Sequence, residues 1–281
     1  MEISKLPITV IILTKNEELA LSGCLDSVEF FDQILVIDSN STDETIKIAE
    51  SYECEVVNFN WNGQYPKKKQ WSLELQQIRN DWVLYLDADE RVSQELFSEI
   101  ASLFANDTTK HFSAMEIPLS YFFMGKELFH GHKVKKVALL NRNFCSFPTF
   151  NDLHVRNMWE VEGHYQPSYF GKLFRLKSKI FHEDPDGLYD YFARHNRYSD
   201  WEAELRSNRN MAERVRMNRT LQGRIFDHFP CKPFFFFVYS FIIRAGWRDG
   251  RAGFNYALAL SYYYWQISVK SQERSLSARV D

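Results

Sequence analysis

The sequence predicts an α/β fold, a parallel β-sheet covered by helices on both faces and followed by a helical C-terminal extension. Three observations lead there. The first hundred residues hold continuous apolar runs, the runs alternate with segments of helical character, and from Leu188 the chain turns helical. A strand that is apolar along its whole length is buried on both faces, as strands are in a parallel sheet flanked by helices.

The elements follow in order. "ITVIILT" (Ile8 to Thr14) is a β-branched first strand, and Leu21, Leu25 and Val28 then recur at helical spacing. "QILVIDS" (Gln33 to Ser39) is the second strand. Ser41-Thr42-Asp43-Glu44 reads as a capping box that opens a helix through about Tyr52. "CEVVNF" is the third strand, and "PKKKQWSLELQQIRN" reads as a helix leading to the fourth, "WVLYLD". A further helix is expected after Ser93. Beyond Ser102, "SAMEIPLSYFFMG" suggests a strand, and Arg142 to about Arg175 is loop-rich with short strands.

Composition narrows the class. The 281 residues, 45% hydrophobic and 25% charged, suit one large domain or one domain with an appendage. A net charge of −3 gives no argument for nucleic-acid binding. Cys24, Cys54, Cys145 and Cys231 lie far apart and read as small buried residues of a reduced, cytoplasmic protein. No signal peptide is expected from "MEISKLPITVIILT", and "PFFFFVYSFII" is too short to span a bilayer.

In parallel sheets ligands collect at the carboxyl ends of strands. Thr14-Lys15-Asn16-Glu17, Asp38-Ser39-Asn40 and Asp87-Ala88-Asp89 all follow predicted strands, so three polar clusters share one rim. The last could be a strand end entering a helix whose first turn favours acids. It could equally be a metal site for a diphosphate leaving group, whose charge carboxylate-held divalent cations commonly neutralise. Asp87 and Asp89, at i and i+2, can both face the rim. Asp38 and Glu17 can accept hydrogen bonds from a nucleoside base or ribose, and Lys68, Lys69 and Gln70 can contact phosphate or sugar. Lys67 is expected on a solvated helix face. Glu90 is expected to open the next helix or brace the loop, and His130-Gly131-His132 reads as a loop.

"VIILTKNEE", "ILVIDSNSTDET", "WVLYLDADE" and "RHNRYSDWEA", in this order and spacing, resemble family 2 glycosyltransferases, and within them the lipopolysaccharide-core glucosyltransferase-type branch. The resemblance covers nearly the whole chain. It implies a GT-A fold (a Rossmann-like mixed sheet with helices on both faces), a nucleotide-diphosphate sugar donor, a divalent metal such as Mg²⁺ or Mn²⁺, and transfer with inversion. The implied division is a catalytic domain at 1–187, with a nucleotide-sugar half to about 102 and an acceptor half after it, and an extension at 188–281. By resemblance, Glu17 and Asp38, with Thr14, Asn16, Ser39, Lys69, Gln70 and Ala88 around them, belong to the donor site. Asp87 matches the first aspartate of the DXD motif, near the ribose and metal. Asp89 matches its main metal ligand, and His182 of "IFHED" resembles the histidine that completes the metal site.

Inverting transfer needs a general base for the acceptor hydroxyl. Glu160 and Glu162 in "NMWEVEGHYQP" share a face if that segment is extended. The spacing to Gly171 and Leu173 favours Glu162 by resemblance, but Trp159-Glu160 stands where the branch has His-Glu, so both remain candidates. Glu183 and Asp184 are a third possibility.

Aromatic residues make up 16% of the chain, concentrated in the C-terminal run with Arg244, Arg248 and Arg251. They suit either a core helix pair or a surface seated on an anionic membrane carrying a lipid-linked acceptor, aided by Arg-rich helices at Arg194 to Arg224. The expected protein is cytoplasmic or peripheral at the membrane. A sugar nucleotidyltransferase would call for a Gly-rich basic loop where Thr14-Lys15-Asn16-Glu17-Glu18 stands. A catalytically silent glycan-binding scaffold would have no need of both Asp87 and Asp89.

Overall fold

The computed structural model describes residues 5–150, 152–153, 155, 159–162, 166–207 and 231–277. Arg209, Arg214, Arg216, Arg219 and Arg224 of the basic segment lie outside them. The chain forms two compact units, Met1–Phe122 with Lys133–Pro148 and Glu160–Pro185, and Phe123–His132 with Thr149–Trp159 and Asp186–Asp281.

The strands, in chain order, are β1 (Leu6–Thr14), β2 (Phe31–Asp38), β3 (Glu55–Asn58), β4 (Trp82–Asp87), β5 (Glu90–Val92), β6 (Ala114–Phe123), β7 (Lys126–Glu127), β8 (Lys135–Asn141), β9 (Cys145–Ser146), β10 (Ser168–Tyr169), β11 (Leu173–Arg175) and β12 (Ile180–His182). The helices are α1 (Leu21–Asp26), α2 (Thr45–Ser51), α3 (Lys68–Leu73), α4 (Gln94–Ala105), α5 (Leu188–Ser207), α6 (Lys232–Phe237) and α7 (Gly250–Ser277).

Hydrogen-bonded neighbours in the main sheet run β3-β2-β1-β4-β8-β6-β12-β5. The first four are mutually parallel, whereas β8 is antiparallel to both β4 and β6. Alternate residues of β1 enter opposite cores: Ile8, Val10 and Ile12 join Leu21, Leu25 and Leu96, while Ile11 and Leu13 join Phe59, Leu73 and Tyr85. Burial on both faces is why these strands read as unbroken apolar runs. The chain thus has the expected mixed sheet with helices and a helical C-terminal region.

Several local expectations are corrected. The segment Pro66 to Asn80 is helical only at α3, because Glu74 ends it and the chain then turns toward β4. The capping box does not form. Ser41 donates its hydroxyl to Asp38 instead, and α2 begins at Thr45, whose N–H and hydroxyl both donate to Asp43 Oδ1. The solvated face expected for Lys67 is absent, since Lys67, Lys68 and Lys69 are all buried. The helix after Ser93 is present as α4, with Ser93 Oγ accepting from Leu96 N. All four cysteines are free, but only Cys24 and Cys145 are buried; Cys54 is partly exposed and Cys231 exposed.

In the second unit α7 packs along α5 through Lys270–Asp200 (2.7 Å) and Arg274–Glu204 (2.8 Å). It also packs on α6, where Ser261 Oγ donates to Pro233 O. A π-helical turn, Val238–Ile243, continues α6, and a 3₁₀ turn, Gly246–Asp249, leads into α7. A Cβ at Gly253 would stand 2.1 Å from the Gly246 carbonyl oxygen, so only glycine lets the helix approach that turn. Among the described residues no helix is long and apolar enough to cross a membrane.

Candidate active site

The parallel register aligns Thr14 with Asp38 and Leu13 with Asp87, so β1, β2 and β4 end together. Thr14 Oγ1 donates to Asp38 Oδ1 at 2.9 Å, and Ser41 N donates to Asp38 Oδ2 at 2.8 Å. Asn16, at φ +57°, accepts Thr42 N on its Oδ1 at 2.8 Å, and Glu17 N donates to Thr45 Oγ1 at 2.7 Å. Together these contacts staple the loop after β1 to the loop after β2. Ser39 beside them has a buried hydroxyl without a hydrogen-bond partner among the described residues. A buried donor left in that state is costly, and a ligand hydroxyl or base edge would relieve it.

The lysine segment closes one side. Lys68 Nζ donates to Thr14 O at 2.8 Å and lies 4.0 Å from Glu160. Burial lowers its ammonium to about 8, although Glu160 and Asp38 pull the other way. Tyr85 of β4 donates its hydroxyl to Lys69 O, fixing α3 against the sheet. The Lys69 ammonium is also depressed by burial, against the pull of Asp87 and Glu162. Gln70 is occupied structurally: its Oε1 accepts Phe147 N and its Nε2 donates to Glu74.

Glu162, 2% exposed, reaches the start of α3 across the chain. Its two oxygens accept Lys69 N at 2.8 Å and Gln70 N at 2.7 Å, the amides that a helix N-terminus leaves unpaired. Burial raises its carboxyl above the ordinary range, and those two amides oppose the rise. Glu160, two residues away, contributes its backbone oxygen to Lys68 N at 2.8 Å.

The Asp87–Glu90 turn forms the opposite side. Lys136 of β8 bridges Asp87 Oδ2 (3.0 Å) and Glu90 Oε2 (2.6 Å), and Glu90 also accepts Asp87 N. Glu90 is therefore a buried brace within β5. Burial alone would raise the Asp87 carboxyl, but Lys136 and then Lys69 hold it well below its ordinary value. Sequence reasoning missed Lys136. Its only signal was a lysine at the start of the apolar run "KVALL", and its partners lie 46 and 49 residues away.

Asp89 differs. Burial pushes its carboxyl up to about 6, with His182 opposing and Asp87, Glu90 and Asp184 adding to the rise. His182 Nδ1 lies 3.5 Å from Asp89 Oδ1, is buried, and makes no hydrogen bond among the described residues. β12 pairs His182 with Glu90, which brings the histidine to this turn. Ala88 between the aspartates is buried. Among the described residues no group of three or more His, Cys, Asp or Glu side chains is arranged to hold a metal alone. The Asp89–His182 pair still fits a divalent cation, because such ions are often held by one or two protein ligands with substrate phosphates completing the shell.

Residues 9–127 match the family model described as Glycosyl transferase family 2. An uncharacterized glycosyltransferase of Rickettsia felis is 30% identical over 70% of this chain and 69% of its own length. The chain belongs to glycosyltransferase family 2. Another uncharacterized glycosyltransferase, of Rickettsia typhi, is 28% identical over 97% of this family 2 chain and 89% of its own. The lipopolysaccharide core biosynthesis glycosyltransferase LpsC of Rhizobium meliloti is 35% identical over 37% of this chain and 39% of its own.

Proposed function

We propose that this glycosyltransferase moves a hexose from a nucleotide-diphosphate donor, with UDP-glucose as the default, to a cell-envelope glycan or glycolipid such as lipopolysaccharide core, inverting the anomeric centre. The observation that carries the reading is the Asp89–His182 pair, whose buried His182 Nδ1 has no hydrogen bond among the described residues and faces a carboxylate at the turn that ends β4. The donor would lie along the rim, its nucleoside against Asp38, Ser39 and Glu17 and its diphosphate between Lys69 and the Asp87 turn. Similarity to LpsC supports the envelope acceptor.

Asp89 and His182 would hold a divalent cation, which supplies positive charge for the departing diphosphate. The chain's own residues do the rest. Lys136 offsets one of the two negative charges of Asp87 and Glu90, which lowers the turn's repulsion of an anionic donor. The base belongs to the Glu160–Glu162 segment, where Glu162 combines a raised carboxyl with engagement of both oxygens by backbone amides.

The test is thermal shift of the full chain against UDP-, GDP-, ADP- and dTDP-sugars, with and without Mn²⁺. A ligand that binds only the native state raises its midpoint. One nucleotide class should do so in a metal-dependent way; a panel without any such shift overturns the reading.

A further inference from the structure

The second unit turns an apolar face outward. Between Arg251 and Trp265 the exposed positions of α7 are Arg251, Phe254, Leu258, Tyr262 and Trp265. Their spacing of three or four residues puts all five on one stripe, about 21 Å long at the helical rise. The outward face of a helix at a protein surface is ordinarily polar. This one carries a single polar residue, at its N-terminal end.

The stripe continues onto neighbouring elements. Phe254 meets Phe237 and Phe241 edge-on, and Tyr262 meets Phe192 of α5. Where the π-helical turn ends, Ile243 is 69% exposed, and Trp247 in the 3₁₀ turn is 57% exposed. Arg244 and Arg248 lie beside them. Arg244, Arg248 and Arg251 are exposed, and their side chains make no ion pair or hydrogen bond among the described residues. Asp249, the one acid between Lys232 and Trp265, is buried and accepts from His130 N and pairs with His130 Nδ1.

We propose that this face seats the enzyme in the headgroup region of an anionic lipid bilayer. Tryptophan and tyrosine suit that boundary, having an apolar body and a polar edge. Arginine can lay its stem on hydrocarbon and keep its guanidinium among phosphates. A second copy of the chain is a poorer occupant, because two-fold pairing would bring these cations near their own copies with no carboxylate among the exposed α7 positions from Arg251 to Trp265. The inference rests on this surface alone and stands or falls separately from the donor site.

The experiment is co-sedimentation of the full chain with phosphatidylcholine vesicles, with and without phosphatidylglycerol, across rising NaCl. Binding should require or strongly favour phosphatidylglycerol and weaken with salt. Arg248→Glu with Arg251→Glu should lower partitioning about tenfold or more. Leu258→Ser with Trp265→Ser should lower it while circular dichroism melting stays near that of the parent. Absence of binding to phosphatidylglycerol vesicles overturns the proposal. So does a doubled solution mass that Leu258→Ser with Trp265→Ser abolishes in a chain without lipid affinity, which would make the face a self-interface. Should the charge-reversed chain not fold, the lipid and salt dependence of the parent decides.

Discussion

Lys136 Nζ stands 2.6 Å from Glu90 Oε2 and 3.0 Å from Asp87 Oδ2, so one ammonium ties a buried glutamate to the first aspartate of the Asp87–Glu90 turn. Burial opposes its charge, yet Asp87 and Glu90 more than offset this and raise its pKa. Lys136→Met would leave Glu90 as a buried, uncompensated carboxylate. Breaking such a pair from one side costs about 3–5 kcal/mol. The urea midpoint should fall accordingly, and Lys136→Met with Glu90→Gln should recover part of the loss. A midpoint unchanged in Lys136→Met would refute the brace.

Asp89→Ala removes the carboxylate that faces His182 Nδ1. The variant should fold, since Asp89 anchors the turn through its backbone oxygen, which accepts Glu183 N at 3.0 Å. Calorimetric titration of UDP-sugar should lose the Mn²⁺-dependent part of its affinity, and transfer should fall by about two orders of magnitude or more. Metal-stimulated binding that survives the substitution would move the cation elsewhere.

The two candidate bases separate by what else each carboxylate does. Glu160→Gln leaves the α3 amides capped and removes only a carboxylate 4.0 Å from Lys68, so stability should fall little and donor affinity should hold; if Glu160 is the base, kcat drops by about 10²–10⁴. Glu162→Gln turns an amide NH₂ toward one of two backbone donors, which should cost about 1–3 kcal/mol of stability. A stable Glu162→Gln chain that binds donor but does not turn over would identify Glu162 instead. Urea melts and single-turnover rates distinguish the cases.

Lys68 makes stability depend on alkaline pH. Its folded value of about 8 lies below the ordinary 10.5, so between these values the unfolded chain binds the extra proton. Stability therefore rises with pH across that window. Below about 8 both states are protonated and the burial cost is fully felt. Urea midpoints of the parent and Lys68→Met should diverge upward for the parent from pH 8 to 10; a constant difference would mean that Lys68 titrates normally.

The four parallel strands and the rim were legible because a strand buried on both faces must be apolar throughout, and the residues that end it must be polar to meet a ligand. Thr14, Asp38 and Asp87 could be placed on one edge from that rule alone. The helix at Pro66 to Asn80 was over-read because helical spacing cannot show where tertiary contacts stop a helix. Ser41 was misread for a related reason: a hydroxyl that can cap a helix can equally donate to Asp38, and geometry chooses.

What the sequence by itself determined is therefore the parallel core, its polar rim and the family. Only the tertiary structure decided which charges meet. Glu162 reaches the amides of Lys69 and Gln70 from 93 and 92 residues away, and Lys136 reaches Asp87 from 49. Local pattern carries no information about such partners, because a buried charge is tolerated only where the fold delivers its counter-charge or donor, and that delivery depends on which strands become neighbours.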